Sequence, residues 1–280
     1  MKLKVVSPIV SVDWLNENSN ASNLIILDAS IKKVGSSIDV VQEKFQIPNA
    51  VFFDLKNVFL DVDGKFPNTI PDQQYFEEQI QQLGINDDSC VIIYDDLGVY
   101  SSPRAWWLFK LFSHDNVAVL NGGFPEWKKR GYTIENPKSV NLNKGNFRAK
   151  FNANYVVNYQ EVLDNITSNT YCVADARSND RFLAKVPEPR KDLKGGHIPN
   201  SKSLPYSVVQ NNGKMKSKEA LITLFESINS ENKDYIFTCG SGVTACILAL
   251  ALEITENTNY SVYDGSWTEW ASISGLPIAN

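Results

Sequence analysis

Four short stretches of this chain occur twice, in the same order, at a spacing of roughly 145 residues, far beyond the roughly 20–50-residue periods of solenoid repeats. Leu27-Asp28-Ala29-Ser30 answers Ala174-Asp175-Ala176-Arg177, and Ile47-Pro48-Asn49-Ala50 answers Ile198-Pro199-Asn200-Ser201. Ile93-Tyr94-Asp95 answers Phe237-Thr238-Cys239, and Leu120 to Trp127 answers Tyr263 to Trp270. Ordered matches of this kind indicate one domain copied in tandem, and 280 residues suit two domains. Within each copy, short apolar runs alternate with helical patterns. That pattern predicts an α/β fold, each copy a mostly parallel sheet with helices on both faces. Expected boundaries are residues 1–140 and 155–280, joined by an Asn-, Lys- and Ser-rich linker over 136–154.

In the first copy, strands are expected at Leu24–Leu27, Cys90–Tyr94 and Val117–Leu120, and a further apolar run follows a turn at Val51–Phe53. Helices are expected at Ser7–Glu17, Asp72–Leu83 with Gly84 as its stop, Ser102–Phe112 and Glu126–Arg130. A polar stretch running to Phe45 and the segment Asp61–Pro71 read as loops.

The second copy holds the stretch with the most chemistry. Tyr235-Ile236-Phe237-Thr238 reads as a strand, Cys239-Gly240-Ser241-Gly242-Val243-Thr244 as a tight loop, and Ala245 to about Glu253 as a helix. Gly240 and Gly242 permit backbone conformations that other residues resist. Successive amides can then surround a point in front of the sulfur, and the helix N-terminus adds its positive end. A cysteine so placed reacts as the thiolate. The competing reading is a buried cysteine at a strand end; the C-terminal end of a parallel strand, where such sheets bind ligands, favours a site. The repeat offset sets Asp95 opposite Cys239, Gly98 opposite Gly242 and Val99 opposite Val243. The first copy thus has a carboxylate in place of the thiol, and one active site per chain is expected.

The other cysteines have structural positions. Cys90 and Cys172 begin strands, and Cys246 lies in the helix after the loop. There is no C-x-x-C pair, and with only His114 and His197 no zinc site is expected. A net charge of −5 and an isoelectric point near 5.2 argue against nucleic acid or an anionic membrane as the main partner. With no secretory signal and no membrane-length apolar run, a reducing cytoplasm is the expected setting.

The tandem halves, Ala174-Asp175-Ala176-Arg177, Gly196-His197-Ile198-Pro199-Asn200 and the Cys239 to Ala245 loop resemble the two-domain rhodanese superfamily, within it most closely the 3-mercaptopyruvate sulfurtransferases. The resemblance spans nearly the whole chain. It implies a silent first domain and a second domain whose cysteine becomes a persulfide, in a two-step sulfur transfer without cofactor or metal. A small-molecule donor would load Cys239, and a thiol, cyanide or a thioredoxin-like reductant would unload it. Loop groups from Gly240, Gly242, Val243 and Thr244 would hold the anions, with Ser241 donating a hydrogen bond. Arg181 and Arg190 match family segments that bind the donor carboxylate, and Tyr100 matches a tyrosine that faces the substrate. Arg177 reads as an ion-pair partner of Asp175, and His197 as a turn histidine. Thiosulfate-specialised relatives carry basic residues after the cysteine; here Gly240 and Ser241 are neutral, which favours 3-mercaptopyruvate over thiosulfate.

One departure concerns Gln46-Ile47-Pro48. The resemblance places at Gln46 a histidine assigned to a serine-activating relay, and glutamine is not a base. Ser241 is therefore expected to donate without a histidine partner. Two other classes also fit a cysteine loop in outline. A phosphatase-type C-x5-R loop would need arginine at Ala245, and a non-catalytic binding module would need neither the thiol nor paired arginines.

Overall fold

The computed structural model describes residues 2–32, 45–138 and 142–280. By their contacts these residues form two compact units. Unit 1 comprises Met1–Val62, Pro71–Phe151 and Asn212–Lys214; unit 2 comprises Asp63–Ile70, Asn152–Asn211 and Met215–Asn280.

Unit 1 is built on strands β1 (Ile9–Val10), β2 (Leu24–Asp28), β3 (Val51–Phe52), β4 (Cys90–Tyr94) and β5 (Val117–Leu120). They form one sheet in the order β1-β5-β4-β2-β3, with parallel pairing throughout. The central strand β4, Cys-Val-Ile-Ile-Tyr, is buried along its length, as a strand covered on both faces requires. Cys90, Ile92 and Tyr94 share a face with Ile26, Ala118 and Leu120, against α1 (Val12–Glu17) and α4 (Gly123–Lys129). Val91, Ile93 and Val119 point to the opposite face, where α3 (Ser102–Leu111) packs on β4 and β5. Helix α2 (Gln73–Gln82) is capped by the Asp72 carboxylate, which accepts from the amides of Gln74 and Tyr75. It ends at Gly84, whose φ of 72° closes it.

Unit 2 repeats this plan. Its strands are β6 (Val156–Val157), β7 (Cys172–Asp175), β8 (Lys202–Ser203), β11 (Tyr235–Thr238) and β12 (Tyr260–Tyr263), in the order β6-β12-β11-β7-β8 and all parallel. The short β9 (Gln210–Asn211) and β10 (Lys214–Met215) pair separately. One face packs on α5 (Tyr159–Ser168) and α9 (Ser266–Trp270), through Val162, Trp267 and Trp270. The other face carries α8 (Ala245–Ile254), whose residues from Ala245 to Leu252 are all buried. Two further helices, α6 (Asn179–Phe182) and α7 (Lys218–Ile228), begin at Ser178 and Ser217, whose hydroxyls cap them. The identical strand orders make the duplicated α/β architecture explicit.

Several local expectations differ. The stretch Ser7–Glu17 is not one helix: Ile9 and Val10 pair with β5, and Ser11 caps a helix that starts only at Val12. Helix α4 begins at Gly123 rather than Glu126, because Gly122 (φ 90°) and Gly123 (φ 52°) turn the chain and Pro125 fits a first turn. Within the supposed linker, residues 142–151 lie against unit 1. The Gly145 amide donates to Gln81 O, Gln81 Nε2 donates to Phe147 O, and Phe147 is buried. Most of the polar stretch before Phe45 falls on residues 33–44, outside the described residues.

Candidate active site

Parallel pairing brings the C-terminal ends of three strands of unit 2 to one edge. Thr238 of β11 is in register with Asp175 of β7, and Phe237 with Val262 of β12. Cys239 therefore leaves the central strand between the turns that follow β7 and β12. It is a free thiol, 2% exposed. Gly242, at φ 79°, turns the loop, and α8 starts at Ala245. The amides of Ser241, Thr244 and Ala245 donate to no other group among the described residues.

Unit 1 shows what such a loop does with an anion. Asp95 follows β4 as Cys239 follows β11, and it is fully buried. Its Oδ2 accepts from the amides of Tyr100, Ser101 and Ser102 at 2.8, 3.0 and 2.9 Å and from the Ser102 hydroxyl at 2.6 Å; its Oδ1 accepts from the Leu97 amide at 3.0 Å. The repeat offset carries these donors onto Ser241, Thr244, Ala245 and Cys246. A nest of amides at a helix start thus holds a covalently attached carboxylate in unit 1, and the corresponding loop of unit 2 follows a thiol, whose hydrogen-bond partner among the described residues is the Ser266 hydroxyl.

The turn after β12 clamps the loop from behind. Ser266 Oγ accepts from the amides of Cys239 and Gly242, both at 3.2 Å, donates to Tyr263 O at 2.8 Å, and lies 3.9 Å from Cys239 Sγ. The Trp267 amide donates to Cys239 O; the Thr268 amide and hydroxyl both donate to Gly240 O, the hydroxyl at 2.6 Å. Ser266 has φ +50°, a conformation uncommon outside glycine, and its counterpart in unit 1 is Gly123 at φ +52°. Sequence patterns alone did not single out Ser266 and Thr268. The signal was available in the repeat, where serine replaces the glycine that the turn geometry favours.

The arginines sit beside the loop. A chain of charges runs from Asp175 to Arg177 (2.7 Å), on to Glu188 (2.9 Å), and from Glu188 to Arg181 (2.5 Å), buried in all but its last member. Arg177 also stacks over Trp267, 4.4 Å from its ring centroid. Burial opposes the Arg177 charge, but Asp175 and Glu188 outweigh it and hold the guanidinium above its ordinary value. Arg181 lies so close to the loop that a Cβ on Gly240 would stand 2.9 Å from Nη2. A side chain at residue 240 would push the tip of Arg181 away from the loop. Arg190 donates to Thr268 Oγ1 at 2.8 Å and forms no ion pair among the described residues. Partial desolvation, then the like charge of Arg181, push its guanidinium below its ordinary value, and a negative charge on Cys239 acts the other way.

Ser241 has an unexpected neighbour. Asn68, from the segment 63–70 that belongs to unit 2, donates through Nδ2 to Ser241 O and Oγ, each at 3.0 Å. Gln46 is spent within unit 1, where its Nε2 donates to Ala50 O at 3.0 Å and reaches Glu135 at 3.3 Å. His197 bonds Phe182 O through Nδ1 and stacks on the Phe182 ring, a structural placement. Tyr100 belongs to unit 1, where it is buried and its amide serves Asp95. Among the described residues no group of His, Cys, Asp and Glu could hold a metal ion, and no helix is long and apolar enough to cross a membrane.

The rhodanese-like domain family matches residues 11–130 and again 158–273. The chain belongs to the rhodanese family. Its two units correspond to two rhodanese-like domains. A thiosulfate/3-mercaptopyruvate sulfurtransferase of Arabidopsis thaliana is 37% identical, over 97% of this chain and 86% of the relative. The 3-mercaptopyruvate sulfurtransferase of Escherichia coli K12 is 35% identical over 96% of each chain. Among solved structures, SseA of Escherichia coli, described as showing the rhodanese fold of 3-mercaptopyruvate sulfotransferases, is similar with a TM-score of 0.84. It is 34% identical, over 94% of this chain and 99% of that one. In this rhodanese, Arg181 is paired with Glu188, while Arg190 forms no ion pair among the described residues.

Proposed function

We propose that this rhodanese is a sulfurtransferase that moves sulfur from 3-mercaptopyruvate to a thiol or cyanide acceptor through a persulfide on Cys239. The observation that carries the reading is a thiol at the start of a loop whose Ser241, Thr244 and Ala245 amides have no acceptor among the described residues, with a guanidinium in no ion pair beside it. The Cys239 thiolate attacks the donor sulfur. The donor carbon–sulfur bond breaks, its electron pair goes to the carbon, and the former sulfhydryl proton ends on that carbon to give pyruvate. The persulfide anion left on Cys239 faces the amides of Ser241, Thr244 and Ala245, as the Asp95 carboxylate faces theirs in unit 1. An acceptor then attacks the outer sulfur and restores the thiolate, so one difficult transfer becomes two easier ones.

Charge supports mercaptopyruvate as donor. Asp175 and Glu188 balance Arg177 and Arg181, which leaves Arg190 as the uncompensated cation of this group. One cation suits a monocarboxylate better than the thiosulfate dianion. Thiosulfate is the second reading, favoured by Arg181 lying against Gly240 as a second guanidinium at the loop. Ser241 completes the proposed contacts, unit 1 is the silent domain, the cytoplasm is the proposed compartment, and a thioredoxin-like reductant is a proposed acceptor. Intact-protein mass spectrometry after separate incubation with 3-mercaptopyruvate and with thiosulfate tests the reading. Gain of one sulfur atom by the natural protein and none by Cys239→Ser is expected; no gain with either donor would sink it.

A further inference from the structure

Asn68 bears on how Ser241 can act, in a role that rests on the sulfurtransferase reading. Asn68 is 7% exposed and has φ +63°, a conformation in which Asn, Asp and His are the common residues after glycine. Its segment is fastened on both sides. Thr69 Oγ1 donates to Phe66 O at 2.8 Å, and the Ile70 amide donates to Asp264 Oδ2 at 2.8 Å. Asp264 directly follows β12, two residues before Ser266, whose hydroxyl clamps the Cys239 loop. The amide orientation of Asn68 is dictated by chemistry. Its nearer atom faces the carbonyl oxygen of Ser241, which only accepts, so that atom is the nitrogen. The same nitrogen donates to Ser241 Oγ.

We infer that Asn68 is a positioning residue that holds Ser241 as a neutral hydrogen-bond donor in sulfur transfer. An Oγ that accepts from Asn68 must direct its own proton elsewhere, and the second bond, to Ser241 O, fixes the residue's backbone at the same time. A carboxamide nitrogen takes no proton at neutral pH, so Ser241 has no base in Asn68 and stays a hydroxyl through the cycle. Its O–H is then set to donate to the oxygen of the donor's carbonyl as the carbon–sulfur bond breaks, or to the persulfide.

The test combines a double-mutant cycle with a pH profile, both read as kcat/KM for 3-mercaptopyruvate. Asn68→Ala and Ser241→Ala should each lower kcat/KM by roughly 3–10-fold, the range expected for one neutral hydrogen bond. The double variant should be no slower than Ser241→Ala alone. Asn68→His, tolerated by the backbone, supplies the discriminating signature. Below pH about 6 the imidazolium donates as the amide does, and the variant should match the natural protein. Above the ordinary histidine pKa of about 6.5 the ring can accept instead, and a new ionisation should appear in the profile. Additive losses, or an Asn68→His profile parallel to that of the natural protein, would overturn the inference while sulfur gain on Cys239 still stood. Absence of sulfur gain by the natural protein would remove the sulfurtransferase reading, and this inference with it.

Discussion

Replacing Ser266 sets two energies against each other, and the turn geometry says which wins. Ser266→Gly relieves a left-handed backbone, worth about 1 kcal/mol. It also removes the oxygen that accepts from the buried amides of Cys239 and Gly242. An unsatisfied buried donor costs roughly 1–3 kcal/mol, so two of them outweigh the relief and the glycine variant should lose about 1–5 kcal/mol net. Ser266→Ala loses the same acceptor and keeps the strained φ of 50°. Alanine should therefore be the worse of the two by about 1 kcal/mol, a reversal of the usual ranking of Gly and Ala. Thermal unfolding followed by tryptophan fluorescence reads this directly, since Trp267 is the next residue. For a unit of this size the gap corresponds to roughly 3–6 °C in Tm. Sulfur loading of Cys239 should slow by a similar factor in both variants, because both remove the hydroxyl 3.9 Å from Sγ. An alanine variant as stable as the glycine variant would refute the strain argument. Unchanged stability in both would refute the clamp.

Other outcomes are set by the same geometry. Arg190→Ala should raise KM for 3-mercaptopyruvate at least roughly tenfold, about what loss of one charge-assisted hydrogen bond brings, while slowing thiosulfate turnover less, since it removes the unpaired cation; equal effects would reject the carboxylate role. Asp95→Ala strips the acceptor from four amides and one hydroxyl and should cost more than about 3 kcal/mol in unfolding. Cys239 should still take up sulfur in that variant at low temperature, which activity and calorimetry would check together. His114 is buried and donates to Ser89 O at 3.1 Å as the neutral ring, and burial lowers its pKa. The unfolded chain therefore takes up a proton near pH 6.5 that the folded one refuses, and stability falls as pH drops below about that value. His114→Gln should flatten the decline of Tm between about pH 7 and 5.

The large features were legible because they rest on repetition and polarity. The apolar run at Cys90–Tyr94, answered at Tyr235–Thr238, announced parallel central strands, and the Asp95-for-Cys239 exchange singled out one copy. The arginine cluster was legible only in part. Arg177 and Asp175 are neighbours in sequence, but nothing local says that Glu188 neutralises Arg181 and leaves Arg190 bare. The two-residue edge strands at Ile9–Val10 and Val156–Val157 escaped because so short a run has no period to read. A relay partner for Ser241 is sought in sequence at Gln46, in the turn before β3, whereas the residue that meets it is Asn68, 173 positions away in the chain. Side-chain contacts of that range leave no trace in local patterning.

The placement of residues 63–70 also bears on how separable the two halves are. The repeat suggests a chain that could be cut between its copies, leaving the second as a free-standing catalyst. The compact units do not divide that way: a segment encoded within the first copy supplies Asn68 to Ser241 and the Ile70 amide to Asp264. A fragment beginning near residue 152 would carry the thiol, the arginines and the loop, yet arrive without two of the groups that fix them. Duplication here produced halves that are copies in architecture but whose compact units each take a segment from the other copy, and loss of residues 63–70 would be felt at Ser241.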